Sequence, residues 1–238
     1  MKHAQPQGLS RRRVKALIAQ AEPHRSTGSR IDVLSRQFLG LPYQINPLIG
    51  SAATPEVFTA SLEGFDCVTY IETIHALSRS ASVDEFVEWL RNIRYQGGQV
   101  SWERRNHYMT GWIRNNARTG ALRRLSLKDV PAIVKRRTLD SVPGLPQARA
   151  RFQCVPKTSI RKLGNHLQTG DLIFFASTRK HLDIFHCGIL VRDGDRLLIR
   201  HASRSRGNVV EQELNEFLKA NRMAGVIVVR PAGGGAKR

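Results

Sequence analysis

Two strand-like runs, residues 184–192 and 195–203, flank the dipeptide Asp193-Gly194. Asp-Gly is favoured at the centre of a two-residue type I′ turn, whose backbone twist matches that of the strands it joins. The chain is therefore expected to fold back there as a hairpin, with Arg192 opposite Asp195 and, farther along, His186 opposite His201. Side chains that face each other directly have Cβ atoms about 4.5–5.5 Å apart, within reach for one imidazole to bond the other. Successive strand side chains alternate between faces, so Cys187 is expected on the face away from His186, as a buried core thiol taking no part in what His186 does.

Around this hairpin the chain reads as helices first and strands last. Residues 1–30 are polar and basic, with one short amphipathic stretch (Val14, Leu17, Ile18), and are expected to form a peripheral extension. A helical pattern from Ile31 stops at Gly40, a residue suited to the left-handed position past a helix end. Residues 64–78 carry Val68, Ile71, Ile74 and Leu77 at helical spacing; Asp66 is the expected N-cap, which puts Cys67 on the first turn. Ser82-Val83-Asp84-Glu85 has the pattern of a capping box and opens a helix with Phe86, Val87, Leu90 and Ile93 inward. A further helix is expected from Tyr108 to Asn116, closed by Gly120. Residues 121–165 are rich in Lys, Arg and Pro with weak periodicity, and read as a basic surface insertion with a short helix or two. Strand patterns follow at 172–176, 184–191, 196–201 and 225–229, with one helix through Leu214, Phe217 and Leu218. The expected fold class is α+β, N-terminal helices packed on a mostly antiparallel β-sheet, in a single domain over 31–231 followed by a tail at 232–238.

Thirty-eight Lys and Arg against nineteen Asp and Glu leave a net charge of +19, while 41% hydrophobic residues supply enough apolar side chain for a core. Such an excess draws a protein to polyanions, nucleic acid or an acidic wall polymer, without choosing among them. The basic clusters are scattered and only 7% of residues are aromatic, so specific nucleic-acid recognition is not expected, only a non-specific, salt-sensitive attraction. No apolar run approaches the ~18 residues of a membrane span. No 7–15-residue apolar stretch near the N-terminus has the form of a signal-peptide core, which leaves a cytoplasmic location open.

Three cysteines, Cys67, Cys154 and Cys187, are too few for a disulfide framework. Cys67 has the most reactive position. A thiol on the first turn of a helix feels the positive end of the macrodipole, and a neighbouring imidazolium lowers its pKa further. Cys67, His186 and His201 then form a nucleophile, a base and a group that orients the base, the logic of covalent acyl transfer. The same atoms with Cys154 or His107 could ligate zinc, but nothing has local ligand spacing, so neither a metal nor another cofactor is expected.

Several blocks together resemble a known family: Phe38-Leu39-Gly40-Leu41-Pro42-Tyr43, Phe65-Asp66-Cys67-Val68-Thr69-Tyr70-Ile71-Glu72, Ile93-Arg94-Tyr95, Arg105-Asn106-His107-Tyr108, Gly170-Asp171-Leu172-Ile173, Phe185-His186-Cys187-Gly188-Ile189, His201-Ala202-Ser203 and the closing 225–231. The chain is similar over roughly residues 31–231 to the N-acetylmuramoyl-L-alanine amidase-like branch of the NlpC/p60 cysteine peptidases, papain-like bacterial cell-wall hydrolases. The resemblance implies a papain-like core in which Cys67 attacks an amide carbonyl, His186 acts as base and His201 orients it. It implies cleavage between N-acetylmuramic acid and L-alanine in peptidoglycan or its fragments, and work in the cell envelope. The alternatives are an endopeptidase cutting between D-glutamate and the diamino acid, or an inactive basic module that binds polyanions or cell wall. Tyr43 matches a tyrosine that lines the site in the wider superfamily. Asp66 matches a residue that in peptidase relatives can bind the stem peptide's amine, or here serves only as an N-cap. The Arg105–Tyr108 block, with His107, is expected to buttress rather than line the cleft. The chain departs from the pattern at Cys187, where a small aliphatic residue is expected, and in the basic stretch 121–151.

Overall fold

The computed structural model describes residues 5–125 and 129–233. At its centre is a six-stranded sheet in the order β1 (Leu122–Arg124), β8 (Gly225–Pro231), β4 (Leu172–Ala176), β5 (Ile184–Asp193), β6 (Arg196–Ser203) and β7 (Asn208–Glu213). Each neighbouring pair is antiparallel. The strand residues alternate as a sheet buried on both faces demands. Leu172, Phe174, Ala176, Cys187, Ile189 and Ala202 belong to one apolar cluster with the N-terminal helices. Ile173, Phe175, Leu190, Ile199 and Val226 belong to another with α6 (Leu214–Ala220) and the 3-10 helix Lys157–His166. The α+β class with a mostly antiparallel sheet is thus as expected.

The larger helical layer comprises α1 (Arg11–Ala21), α2 (Thr27–Arg36), α3 (Cys67–Arg79), α4 (Val83–Arg94) and α5 (Met109–Arg118). Helix α3 is buried on nearly all sides, Tyr70 to Ser78 without a break. It starts where the sequence says it should: Asp66 accepts from the Val68 and Thr69 N–H groups at 3.0 and 2.7 Å, and the Thr69 hydroxyl oxygen accepts the Asp66 N–H at 3.0 Å. The Ser82 cap is also present, accepting from Glu85 N at 3.1 Å, but the Glu85 carboxylate reaches back one residue farther, to the N–H of Ala81.

Inside this layer two charges are fully buried and satisfied together. Arg94 Nε donates to Glu72 at 2.7 Å, Trp112 Nε1 donates to the other Glu72 oxygen at 3.1 Å, and Arg94 Nη1 donates to the carbonyl of Thr59 at 2.7 Å. A second buried arginine, Arg200 of β6, donates to Asp32 and Ser35 of α2 at 2.6 and 2.9 Å and pairs with Glu211 of β7, fastening helix layer to sheet.

Four expectations need correction. The N-terminal stretch expected to be peripheral is not so over its described residues: Val14, Leu17, Ile18 and Ala21 of α1 lie in the main core, because their i, i+3, i+4, i+7 spacing makes one continuous apolar face that packs on α2, α3 and α4. The 121–165 stretch is not mainly loop and helix. It holds the sheet's edge strand β1 and a two-stranded antiparallel ribbon, β2 (Ile133–Leu139) with β3 (Ala148–Cys154), before the 3-10 helix. Strand β7 was not anticipated, its Val209-Val210 core being too short to stand out from polar neighbours. Lastly, Asp193 pairs with Arg196, so the hairpin turn is Gly194-Asp195 rather than Asp193-Gly194. Gly194 has φ +57° and Asn46 is the one non-glycine with positive φ among the described residues, the pattern of a type II′ turn with glycine first.

The place of α1 in the core has a measurable consequence. Leu17→Ala is expected to cost about 2–5 kcal/mol of unfolding free energy, the range for truncating a buried leucine. A peripheral helix would lose no more than about 0.5 kcal/mol, and urea denaturation separates the two.

Candidate active site

The turn correction displaces the β5–β6 register by two residues, an even number, and so leaves every side chain on its expected face. Carried onward, the register puts Gly188 opposite His201, with His186 as the diagonal neighbour. The imidazoles still meet: His186 Nε2 and His201 Nδ1 are 2.7 Å apart. Two local features make this contact. A Cβ at Gly188 would come within 2.8 Å of the Ile199 side chain and 2.9 Å of the Arg200 carbonyl, so only glycine lets the strands lie this close. Beside it, Phe175 pairs with His186 but Ala176 pairs with Ile184, leaving Phe185 as the extra residue of a bulge that re-aims the His186 side chain. The His186 ring then stacks on Phe217 of α6, ring centroids 5.4 Å apart.

His201 is almost wholly buried. Burial first, then the His186 and Arg206 charges, push its imidazole down to about 3, so it is neutral at any ordinary pH. A neutral His201 that presents its Nδ1 lone pair accepts the Nε2–H of His186, which leaves His186 Nδ1 for the thiol.

Cys67 heads α3 and is partly exposed. The Val68 and Thr69 N–H groups are taken by Asp66, while the Cys67 N–H has no partner among the described residues. Its thiol is held well below the ordinary value. The largest cause is a hydrogen bond from Cys187; burial opposes it, and the bond to His186 and the His186 charge add to the lowering. Cys187 moves the other way, raised by burial and by the neighbouring Cys67 sulfur. The two thiols are thus driven apart, Cys67 downward and Cys187 upward.

Cys187 faces away from His186 and is buried, as expected, but that face is the one on which α3 packs, so its single S–H, 3.3 Å from the Cys67 carbonyl oxygen, is shared between that oxygen and the Cys67 sulfur. The signal was in the sequence, in the adjacency of Cys187 to His186; what it faces depends on how α3 lies on the sheet.

Tyr43 adjoins the same site, its backbone N–H bonded to the Gly207 carbonyl at 2.8 Å. Burial first, then negative charge at Cys67 and Asp66, raise its phenol, with Arg204 opposing. Asp66 is placed as the N-cap, its carboxyl raised to about 6 by burial and then by Cys67, against the Thr69 bonds. Arg204 and Arg206, on the turn between β6 and β7, bring positive charge beside Tyr43 and His201; sequence reasoning passed over them because they were two among many arginines. His107 lies apart, Nε2 bonded to the Trp102 carbonyl at 2.7 Å with its ring against that indole, a buttress. Cys154 sits at the foot of the β2–β3 ribbon, opposite Ile133. Neither is part of a metal-binding group with Cys67, and no cluster of three ligating side chains occurs among the described residues.

Alkylation of Cys67 by iodoacetamide, followed by peptide mass spectrometry against pH, tests the assignment of charge. In the wild type the rate is expected to persist well below the ordinary thiol pKa and to fall only as the thiolate is protonated. In Cys187→Ala the midpoint is expected to rise. An unmoved midpoint would assign the depression to His186 and the helix end alone.

The model of the AmiA-like, N-acetylmuramoyl-L-alanine amidase-like family matches residues 33–226. No functionally curated protein matches the sequence. Among solved structures, a Legionella pneumophila protein of the DUF1460 family superposes with a TM-score of 0.80 at 20% identity, covering 94% of this chain and 96% of that one. An N-acetylmuramoyl-L-alanine amidase from Bacteroides uniformis gives 0.77 at 24% identity, covering 87% and 99%. At these identities the structural likeness establishes the shared fold, while the family match spans both Cys67 and the two histidines. The chain belongs to the AmiA-like, N-acetylmuramoyl-L-alanine amidase-like family.

Proposed function

We propose that this protein is a cysteine-dependent peptidoglycan amidase that cleaves the bond between N-acetylmuramic acid and L-alanine, on a papain-like core of the NlpC/p60 kind. The observation that carries the proposal is the chain of contacts from the depressed Cys67 thiol through His186 to a neutral, buried His201. Family membership supports the substrate class.

In the proposed reaction the Cys67 thiolate attacks the lactyl carbonyl of muramic acid. The tetrahedral oxyanion takes the Cys67 N–H, the first helical donor that Asp66 leaves unpaired, and the Tyr43 hydroxyl as second donor. His186, as imidazolium, gives its proton to the departing L-alanine amine, and a thioester remains on Cys67. Water then attacks the thioester with His186 as base, releasing the muramic acid carboxylate and restoring the ion pair. His201 accepts the Nε2–H of His186 throughout and keeps Nδ1 aimed at the reacting centre. Asp66 acts here through the helix cap, holding Cys67 on the first turn.

Family membership supports work in the cell envelope. No helix among the described residues is long and apolar enough to cross a membrane.

Mass spectrometry of a muramyl tripeptide incubated with the protein is the direct test. Release of a peptide with N-terminal L-alanine by wild type and not by Cys67→Ala or His186→Ala is expected, with His201→Ala retaining partial activity because water can replace an orienting acceptor. Cleavage after D-glutamate would make the protein an endopeptidase on the same triad, and full activity of Cys67→Ala would end the cysteine mechanism. Tyr43→Phe is expected to slow acylation by about 10²-fold, the scale of one oxyanion donor. An unchanged acylation rate would remove Tyr43 from that role.

A further inference from the structure

Strands β2 and β3 form a ribbon with one face turned to the core, where Lys135 and Arg137 also lie, and the other turned to solvent. On the inner face Leu139, Ala150 and Cys154 are buried, and Ile133 and Phe152 pack against the main core. The outer face carries Val134, Arg136 and Thr138 from β2 with Arg149, Arg151 and Gln153 from β3. Arg136 stands directly opposite Arg151, and Arg149 opposite Thr138. All three arginines are exposed, and none has an acidic partner among the described residues.

Like charges placed directly across a ladder destabilise the pair of strands. Solvation of a surface does not ask for that arrangement, since one glutamate opposite Arg151 would solvate as well and attract. The ribbon therefore keeps an array of three guanidinium groups, two of them on alternate residues about 6.8 Å apart. An extended peptide repeats by the same amount every two residues, and guanidinium is suited to carboxylate through paired hydrogen bonds.

The ribbon's position relates it to the candidate site. Thr138 N donates to Lys180 O at 3.2 Å and Arg137 to Ser177 O at 2.7 Å, fixing one end to the connection that leads into β5 and His186. At the same hairpin end, in the β2–β3 connection, Gly144 lies so near Ala52 that a Cβ there would be 2.1 Å from the Ala52 methyl, in the loop that follows Tyr43. The hairpin end of the ribbon thus touches both segments that carry Tyr43 and His186 to the site.

We infer that the outer face of the β2–β3 ribbon, through Arg136, Arg149 and Arg151, docks the carboxylate-bearing stem peptides of polymeric peptidoglycan. This rests on the proposed substrate class and extends it from a single bond to the polymer around it. The contact is electrostatic and exposed, so it weakens as salt rises.

Co-sedimentation with purified sacculi tests the inference independently of turnover. The triple variant R136Q/R149Q/R151Q is expected to bind sacculi about tenfold more weakly at low salt than wild type, with a shallower salt dependence. Its thermal midpoint is expected to be unchanged or raised, since the substitutions remove repulsion, and its turnover of the small muramyl tripeptide is expected to be unchanged. Equal sedimentation of variant and wild type would overturn the inference. So would a variant that keeps sacculus binding but loses retention on duplex DNA, which would make the ribbon a nucleic-acid surface. If neither protein turns over muropeptide, the amidase proposal fails on its own, while sedimentation still decides the ribbon.

Discussion

A carboxylate in the middle of a buried helix is the constraint around which the helical layer is arranged. Glu72 lies on α3 with sheet and helices on all sides, and removing a charge from water costs several kcal/mol unless it is fully paired. Arg94 of α4 and Trp112 of α5 bond one oxygen each, and Arg94 donates from a second nitrogen, Nη1, to the Thr59 carbonyl. Two helices and one loop must be in register with α3 for this to close. An apolar core would pack as tightly but would tolerate sliding; a charge that must be met by two specific donors does not. The position of α3 along its axis, and with it the height of Cys67 above the sheet, is set by this network.

From that placement the electrostatics of Cys67 follow. The helix end supplies partial positive charge, the cap at Asp66 leaves the Cys67 N–H unpaired, and the sheet brings two different residues of one strand to the sulfur. Consecutive residues on a strand face opposite ways, so His186 and Cys187 can both meet Cys67 only where the strand bends, and the Phe185 bulge is there. The outcome is a thiol lowered well below its ordinary value, with His186 and Cys187 of one strand beside it. The second histidine stays neutral: with its pKa pushed to about 3 by burial, His201 offers His186 only a neutral hydrogen-bond partner.

The high net charge is not spread as a uniform solvated skin. Arg94 and Arg200, tied to carboxylates and carbonyls in the interior, are neutralised there and add nothing to it. Part of it flanks the site at Arg204 and Arg206, and part is ordered on one face of the β2–β3 ribbon. These are three different physical uses of one composition, and composition could not have told them apart.

How much of this was legible in advance varied with the range of the interaction concerned. The cap at Asp66, the first-turn position of Cys67, the Ser82 cap and the meeting of His186 with His201 are consequences of local chemistry: short polar side chains at helix starts, period-two alternation, and a turn in which glycine is required. Even the misplaced turn left the histidines on one face, because the error was two residues and the strand period is two. Other features depended on what lay across the core. Whether α1 was peripheral depended on an apolar face finding α2, α3 and α4. Whether Cys187 was idle depended on which side of the sheet α3 chose. The ribbon in the basic insertion was hidden because its inward residues alternate with arginines, and that alternation reads as a strand only once a core exists for one face to cover. The sequence by itself determined the helix starts, the first-turn position of Cys67 and the two histidines on one face, since each is set by residues within a turn or hairpin of one another. Only the tertiary structure decided that Cys187 meets Cys67, that His201 is kept neutral and that three arginines share one exposed face, since burial and long-range juxtaposition are properties of the packed chain.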